Sequence, residues 1–173
     1  MGKRALIVAD MLNDFIDPKG ALYVGPAGRE IIDFVARKCQ EVRARGALVI
    51  FVCDAHAPDD REFRYFPAHA VKGSWGARII PELPPAPGDY QVEKTRYSAF
   101  AHTNLDDILK QEQVEEVHVV GVMTSICVME TIKELFDRDL PGLVYRQGVA
   151  DSDLEAHAFA LKQMQRVLGA KVV

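Results

Sequence analysis

Apolar residues fall in two rhythms along this chain. Residues 4–9, 47–52 and 117–122 are short continuous apolar runs rich in Val and Ile, bounded by polar or glycine positions, and a shorter run covers 142–145. Runs of this length without alternation predict strands buried on both faces. Residues 90–93 form a further short extended stretch. Between the runs, Ile31, Val35, Cys39 and Val42 recur at helical spacing with charged residues on the opposite face, which predicts an amphipathic helix over 29–45 ended by Gly46. A short helix over 104–111 has Asn104 as its cap candidate, and 125–138 and 153–168 predict two more. Strands alternating with helices imply parallel crossovers, so the fold expected is a three-layer α/β/α sandwich around a mostly parallel sheet. The stretch 81–89, with four prolines, is expected to cross the surface between elements.

Composition narrows the possibilities. The chain has 173 residues, so 1–173 is expected to form a single domain, with 49% hydrophobic residues to fill one core. The net charge of −4 and the lack of a Lys/Arg block leave no basic face for phosphates, which argues against nucleic acid as a partner. Apolar runs fall well short of the ~20 residues that span a bilayer, so no membrane insertion is expected. The opening MGKRALIVAD reaches Asp10 after a few apolar residues, too short for a signal-peptide core, and a cytoplasmic location is expected. Cys39, Cys53 and Cys127 are an odd, widely spaced set with no C-x-x-C pair, which rules out a disulfide framework and argues against a Cys-rich zinc site.

Composition leaves open whether one of these thiols is chemically special. In a parallel sheet ligands bind beyond the carboxyl ends of the strands. Asp10 follows the first predicted strand, Asp54 the second, Lys94 the 90–93 stretch, and Cys127 lies between the third strand and the helix after it, so the four converge on one rim. A place in the first turn of a helix favours a thiolate at Cys127. A buried small hydrophobe is the other reading, and it is the one that fits Cys39 and Cys53. A carboxylate in a partly desolvated cleft can take a thiol proton, and an ammonium beside both steadies the anions, so Asp10, Lys94 and Cys127 together form a candidate triad.

A second constellation lies in CDAHAPDDREFRYFPAH, which carries Asp54, His56, Glu62 and His69. Asp and His two apart at a strand end point the same way, and the following loop supplies further ligands. Two imidazoles with carboxylates suit a divalent first-row ion, zinc first, with iron or manganese within the same preference. A polar surface loop that happens to contain two histidines is the alternative.

Asp10 and Phe15 in ADMLNDF, Lys94 in EKTRYSAF and Cys127 in GVMTSICVMET, taken together, resemble the isochorismatase-like cysteine hydrolase superfamily, and the nicotinamidases within it most. The resemblance spans nearly the whole chain. It implies that the Asp shuttles a proton, the Lys supports it and the Cys attacks the substrate. It also implies a cis peptide at Val122-Met123 and an oxyanion hole from the Met123 and Cys127 amides. In nicotinamidases the D-x-H pair and the His of an aromatic-Pro-x-H motif bind a metal that takes the pyridine nitrogen. Asp54, His56 and His69 match that pattern, and Glu62 resembles a supplementary carboxylate. Phe15, Phe66 and Tyr97 stand at the family's pocket positions, though each also suits ordinary packing.

The implied activity is hydrolysis of nicotinamide to nicotinate and ammonia, the opening step of one NAD salvage route, by an enzyme expected to be a homo-oligomer. The alternative is a relative acting on another small amide or ureido compound, of the N-carbamoylsarcosine or ureidoacrylate type. A binding protein that keeps the fold without chemistry is a third reading, and it would be expected to have lost a triad member. The sequence departs from the family pattern at Ser125, where an acidic residue is common, and at Ser74 in Gly73-Ser74-Trp75-Gly76.

Overall fold

The computed structural model describes residues 2–173. Its centre is a six-stranded sheet in the order β3-β2-β1-β4-β5-β6, formed by β1 (Lys3–Ala9), β2 (Leu48–Asp54), β3 (Tyr90–Lys94), β4 (Val114–Val122), β5 (Gly142–Ala150) and β6 (Lys171–Val172). Every neighbouring pair is parallel, which sharpens the expectation of a mostly parallel sheet. Helices α1 (Asn13–Ile16), α2 (Pro26–Glu30) and α3 (Ile32–Ala44) precede β2, α4 (Leu105–Gln111) precedes β4, and α5 (Met129–Phe136) and α6 (Leu154–Arg166) follow β4 and β5. No helix is long and apolar enough to cross a membrane among the described residues.

The continuous apolar runs are explained by burial on both faces. Along β1, Ala5, Ile7 and Ala9 join one core with Ile108, Ile132, Leu135, Leu161 and Met164 of α4, α5 and α6. Leu6 and Val8 point the other way, into a second core with Ile16, Ile32, Val35 and Cys39 of α1 and α3. Alternate side chains of a strand emerge on opposite faces, so a strand covered twice must be apolar at every position.

Several elements differ from the pattern-based expectation. The helix expected over 29–45 is two helices that meet at Ile31, and Pro26 starts the first of them earlier than the apolar spacing indicated. The helix expected over 125–138 opens as a π-helical turn, Thr124–Val128, and becomes α-helical only at Met129. β5 runs on to Ala150, and its polar middle, Arg146 and Gln147, is what hid the continuation from the apolar pattern. Asn104 stands at the N-terminus of α4 but makes no side-chain cap, whereas Asp153 caps α6 by accepting from the Glu155 and Ala156 amides.

Strand order reverses between β1 and β4, which opens a crevice beyond their carboxyl ends. There the two backbones approach closely. Gly121 has φ +115° and any Cβ on it would sit 2.0 Å from the Ala9 carbonyl oxygen, so only glycine fits beside the crevice.

Candidate active site

Asp10, Lys94 and Cys127 meet at the bottom of this crevice. Asp10 is the first residue past β1 and holds φ +51°, a left-handed conformation uncommon for a residue with a side chain. Its amide donates to Val52 O at 2.9 Å, and its Oδ1 accepts from the Asp54 amide at 2.8 Å, so backbone bonds to β2 fix the carboxylate. Lys94 ends β3 and reaches inward, with Nζ 2.9 Å from Asp10 Oδ2, 2.5 Å from Asp54 Oδ1 and 3.4 Å from Cys127 Sγ. All three side chains are buried.

Burial sets the protonation states here. Desolvation, reinforced by the Asp54 charge and opposed by Lys94, raises Asp10 to about 6. Desolvation also pushes the Cys127 thiol well above its ordinary range, against the pull of Lys94, and the Asp10 and Asp54 charges add to it. The resting sulfur is therefore a thiol, lying within 4.8 Å of the Asp10 carboxylate. This corrects the expectation of a thiolate favoured by a helix start: desolvation of the buried sulfur, with the Asp10 and Asp54 charges adding to it, keeps the proton on. Burial disfavours the charge on Lys94, yet Asp10 and Asp54 together outweigh it and hold the ammonium charged.

Cys127 sits in the π-helical turn, just beyond the cis Val122-Met123 peptide. Ser125, the departure noted in the sequence, donates through both its amide and its hydroxyl to Asp151 Oδ2, at 2.8 and 2.7 Å. Asp151 follows β5 and is buried, so the nucleophile loop gets its carboxylate from the neighbouring strand. Nothing in the local sequence around Cys127 announced it.

The second constellation forms the opposite wall. Asp54 Oδ2 lies 3.5 Å from His56 Nε2 and 4.0 Å from His69 Nε2, and Glu62 Oε1 lies 3.7 Å from His69 Nε2. His69 Nδ1 is 2.7 Å from the Pro67 carbonyl and His56 Nδ1 is 3.2 Å from Asp60 Oδ2. Both partners are acceptors, so each Nδ1 carries a proton, and in the neutral ring Nε2 is left to present a lone pair. His56 Nε2 is fully buried and has no hydrogen-bond partner. Two imidazole lone pairs converging on two carboxylates, with one nitrogen otherwise orphaned, fit a divalent cation, and the Nδ1 partners are the supports that metal-binding histidines require. Asp60 was not picked out in the sequence; its place four residues after His56 was the available signal.

Between the walls lies a cavity of about 20 Å³, room for roughly one water. Phe15, Phe66 and Tyr97 all line it, together with Met123 and Cys127. Phe15 and Phe66 also stack edge-on against His69, with centroids 5.4 and 6.2 Å away. Phe63, unremarked in the sequence, packs edge-on against both His56 and His69.

Comparison with known proteins follows the same lines. Residues 4–173 match the isochorismatase domain. The nicotinamidase/pyrazinamidase PncA of Bacillus subtilis is similar over 99% of both chains, with 35% identity and a TM-score of 0.94. The N-carbamoylsarcosine amidase of Thermoplasma acidophilum is similar over 98% of this chain and 95% of its own, with 35% identity and a TM-score of 0.90. The pyrazinamidase of Pyrococcus horikoshii, solved in complex with zinc, has 30% identity and a TM-score of 0.93 over 99% of this chain and 98% of its own.

Proposed function

The chain belongs to the isochorismatase family, and from that premise we propose that it is a cysteine amidohydrolase converting nicotinamide to nicotinate and ammonia, as in NAD salvage in the cytoplasm. One observation carries the reading. The Cys127 thiol and the Asp10 carboxylate, both in contact with the Lys94 ammonium, line a cavity that His69 and Glu62 line from the other side, and the His56 and His69 Nε2 atoms converge with Asp54 beside it.

Asp10 takes the thiol proton as Cys127 sulfur bonds to the carboxamide carbon, and the carbonyl electron pair moves onto oxygen. The Met123 and Cys127 amides receive that oxyanion. As the carbonyl re-forms, the C–N bond breaks and nitrogen leaves as ammonia, carrying the proton from Asp10. Asp10 then removes a proton from water as its oxygen attacks the thioester, and sulfur departs to be reprotonated. Lys94 keeps Asp10 oriented and its charge balanced throughout.

Asp54, His56 and His69, supplemented by Glu62, would hold a divalent ion, zinc first, that ligates the ring nitrogen when bound. Phe15, Phe66 and Tyr97 flank the ring. The cavity is smaller than a pyridine carboxamide, so entry requires one of these side chains to swing, and Tyr97, at 38% exposure, is the freest.

The likeness to N-carbamoylsarcosine amidase supports a second reading, in which the same triad cleaves a ureido compound. Ammonia release across nicotinamide, pyrazinamide, N-carbamoylsarcosine and ureidoacrylate, with metal content measured in parallel, decides between them. Preference for the two ring amides is expected, and turnover confined to the ureido compounds would replace the first reading with the second.

A further inference from the structure

Asp14, in the same ADMLNDF segment as Asp10, takes no part in the chemistry above, yet three loops are fastened to it. It is buried in α1. Its Oδ2 accepts from the Ala70 amide at 2.7 Å and its Oδ1 from the Ala21 amide at 3.0 Å. Its own amide donates to Gly76 O, and its carbonyl accepts from the Leu22 amide, both at 3.0 Å.

Ala70 is the consequential partner. It follows His69 directly, has φ +43°, and its carbonyl accepts from the His56 amide at 2.9 Å. Both histidines of the second wall therefore lean on one residue, held in an uncommon conformation by a carboxylate from another element. Gly76 completes the device. A Cβ there would fall 1.9 Å from Asp14 Oδ2, so the glycine that closes Gly73-Ser74-Trp75-Gly76 is the space the carboxylate occupies.

We propose that Asp14 is a positioning residue for the metal centre: by fixing Ala70 it sets the backbone of His56 and His69 so that their Nε2 atoms converge with Asp54. This rests on the reading that those residues hold a divalent ion. Both carboxylate oxygens are occupied by amide donors. Asp14→Asn, nearly identical in shape, turns one of them into an amide group that faces a donor with a donor. Gly76→Ala displaces the carboxylate while leaving Asp14 unchanged.

The test is the zinc dissociation constant of the purified protein, by competition with a chromogenic chelator, alongside the rate at which iodoacetamide alkylates Cys127. Asp14→Asn and Gly76→Ala are each expected to weaken zinc at least about 10-fold, the effect usual for supports of metal ligands, with Cys127 alkylation within about threefold of wild type. Zinc affinity within about threefold of wild type in folded Asp14→Asn overturns the proposal. So does a parallel change in alkylation, which would mean general loosening of the site. If Asp14→Asn does not fold, Gly76→Ala decides the question in the same titration. A wild-type protein that binds no zinc overturns the metal reading and this inference together, whereas binding unaffected by either substitution overturns this inference alone.

Discussion

Asp10 and Lys94 stand at the carboxyl ends of β1 and β3, and Cys127 in the π-helical turn that follows β4, so the sheet carries all three to one rim. His56, Glu62 and His69 ride on the irregular stretch between β2 and β3, whose regular structure is a four-residue 3-10 helix and two isolated bridges, His56 to Val71 and Ile79 to Leu12. The first wall is positioned by strand ends, with Asp151 fastening the turn that carries Cys127. The second is positioned by side chains bonded to backbone: Asp14 to Ala70, and Asp60 to both Glu62 N and the His56 ring. Asp54 joins the walls, with one oxygen on Lys94 and the other facing the histidines.

The comparison is broken most severely at the nucleophile. Cys127→Ala should lower ammonia release from nicotinamide by at least about 10⁴-fold, the scale of removing a nucleophile, while metal content measured by atomic absorption stays at the wild-type level. Lys94→Met comes next, because it leaves Asp10 and Asp54 buried without their cation. Breaking a buried pair in this way costs about 3–5 kcal/mol, which for a chain of this size should lower Tm by roughly 10 °C. A fall of under about 3 °C in thermal unfolding would show that the ammonium does not hold the first wall together.

The second wall is expected to respond through affinity. Asp60→Ala should weaken metal binding by about 10–100-fold and raise KM for nicotinamide, with the saturated, metal-loaded kcat close to wild type. A matched loss of kcat would merge the two walls into one unit. Ser125→Ala is the mildest change. It removes the hydroxyl bond to Asp151 but keeps the amide bond, so a loss of about 1 kcal/mol of stability is expected by denaturant unfolding.

What could be read from the sequence divides along the same line. The strands were visible because burial on both faces demands unbroken apolar runs, and Asp10, Asp54, Lys94 and Cys127 stood out as polar residues just past them. The pairing of Asp54 with His56 was legible because it follows the two-residue repeat of a strand. The supports were not. Asp14, Asp60 and Asp151 act across 56, 4 and 26 residues of chain on backbone amides or a ring nitrogen, and a bond of that kind has no periodicity. Gly76 was visible as a residue, but its reason became clear only with the Asp14 carboxylate in the space a Cβ would fill. The break at Ile31 and the π-helical turn before α5 were hidden because apolar spacing barely changes through either.

The central claim is that one wall performs the carbonyl chemistry and the other holds the ring through a divalent ion. Its most direct test is the kinetics of ammonia release from nicotinamide by the wild-type enzyme as isolated, after removal of metal by a chelator, and after zinc is restored. The account predicts a large drop in kcat/KM on chelation that zinc reverses. Equal kcat/KM in all three preparations would contradict it.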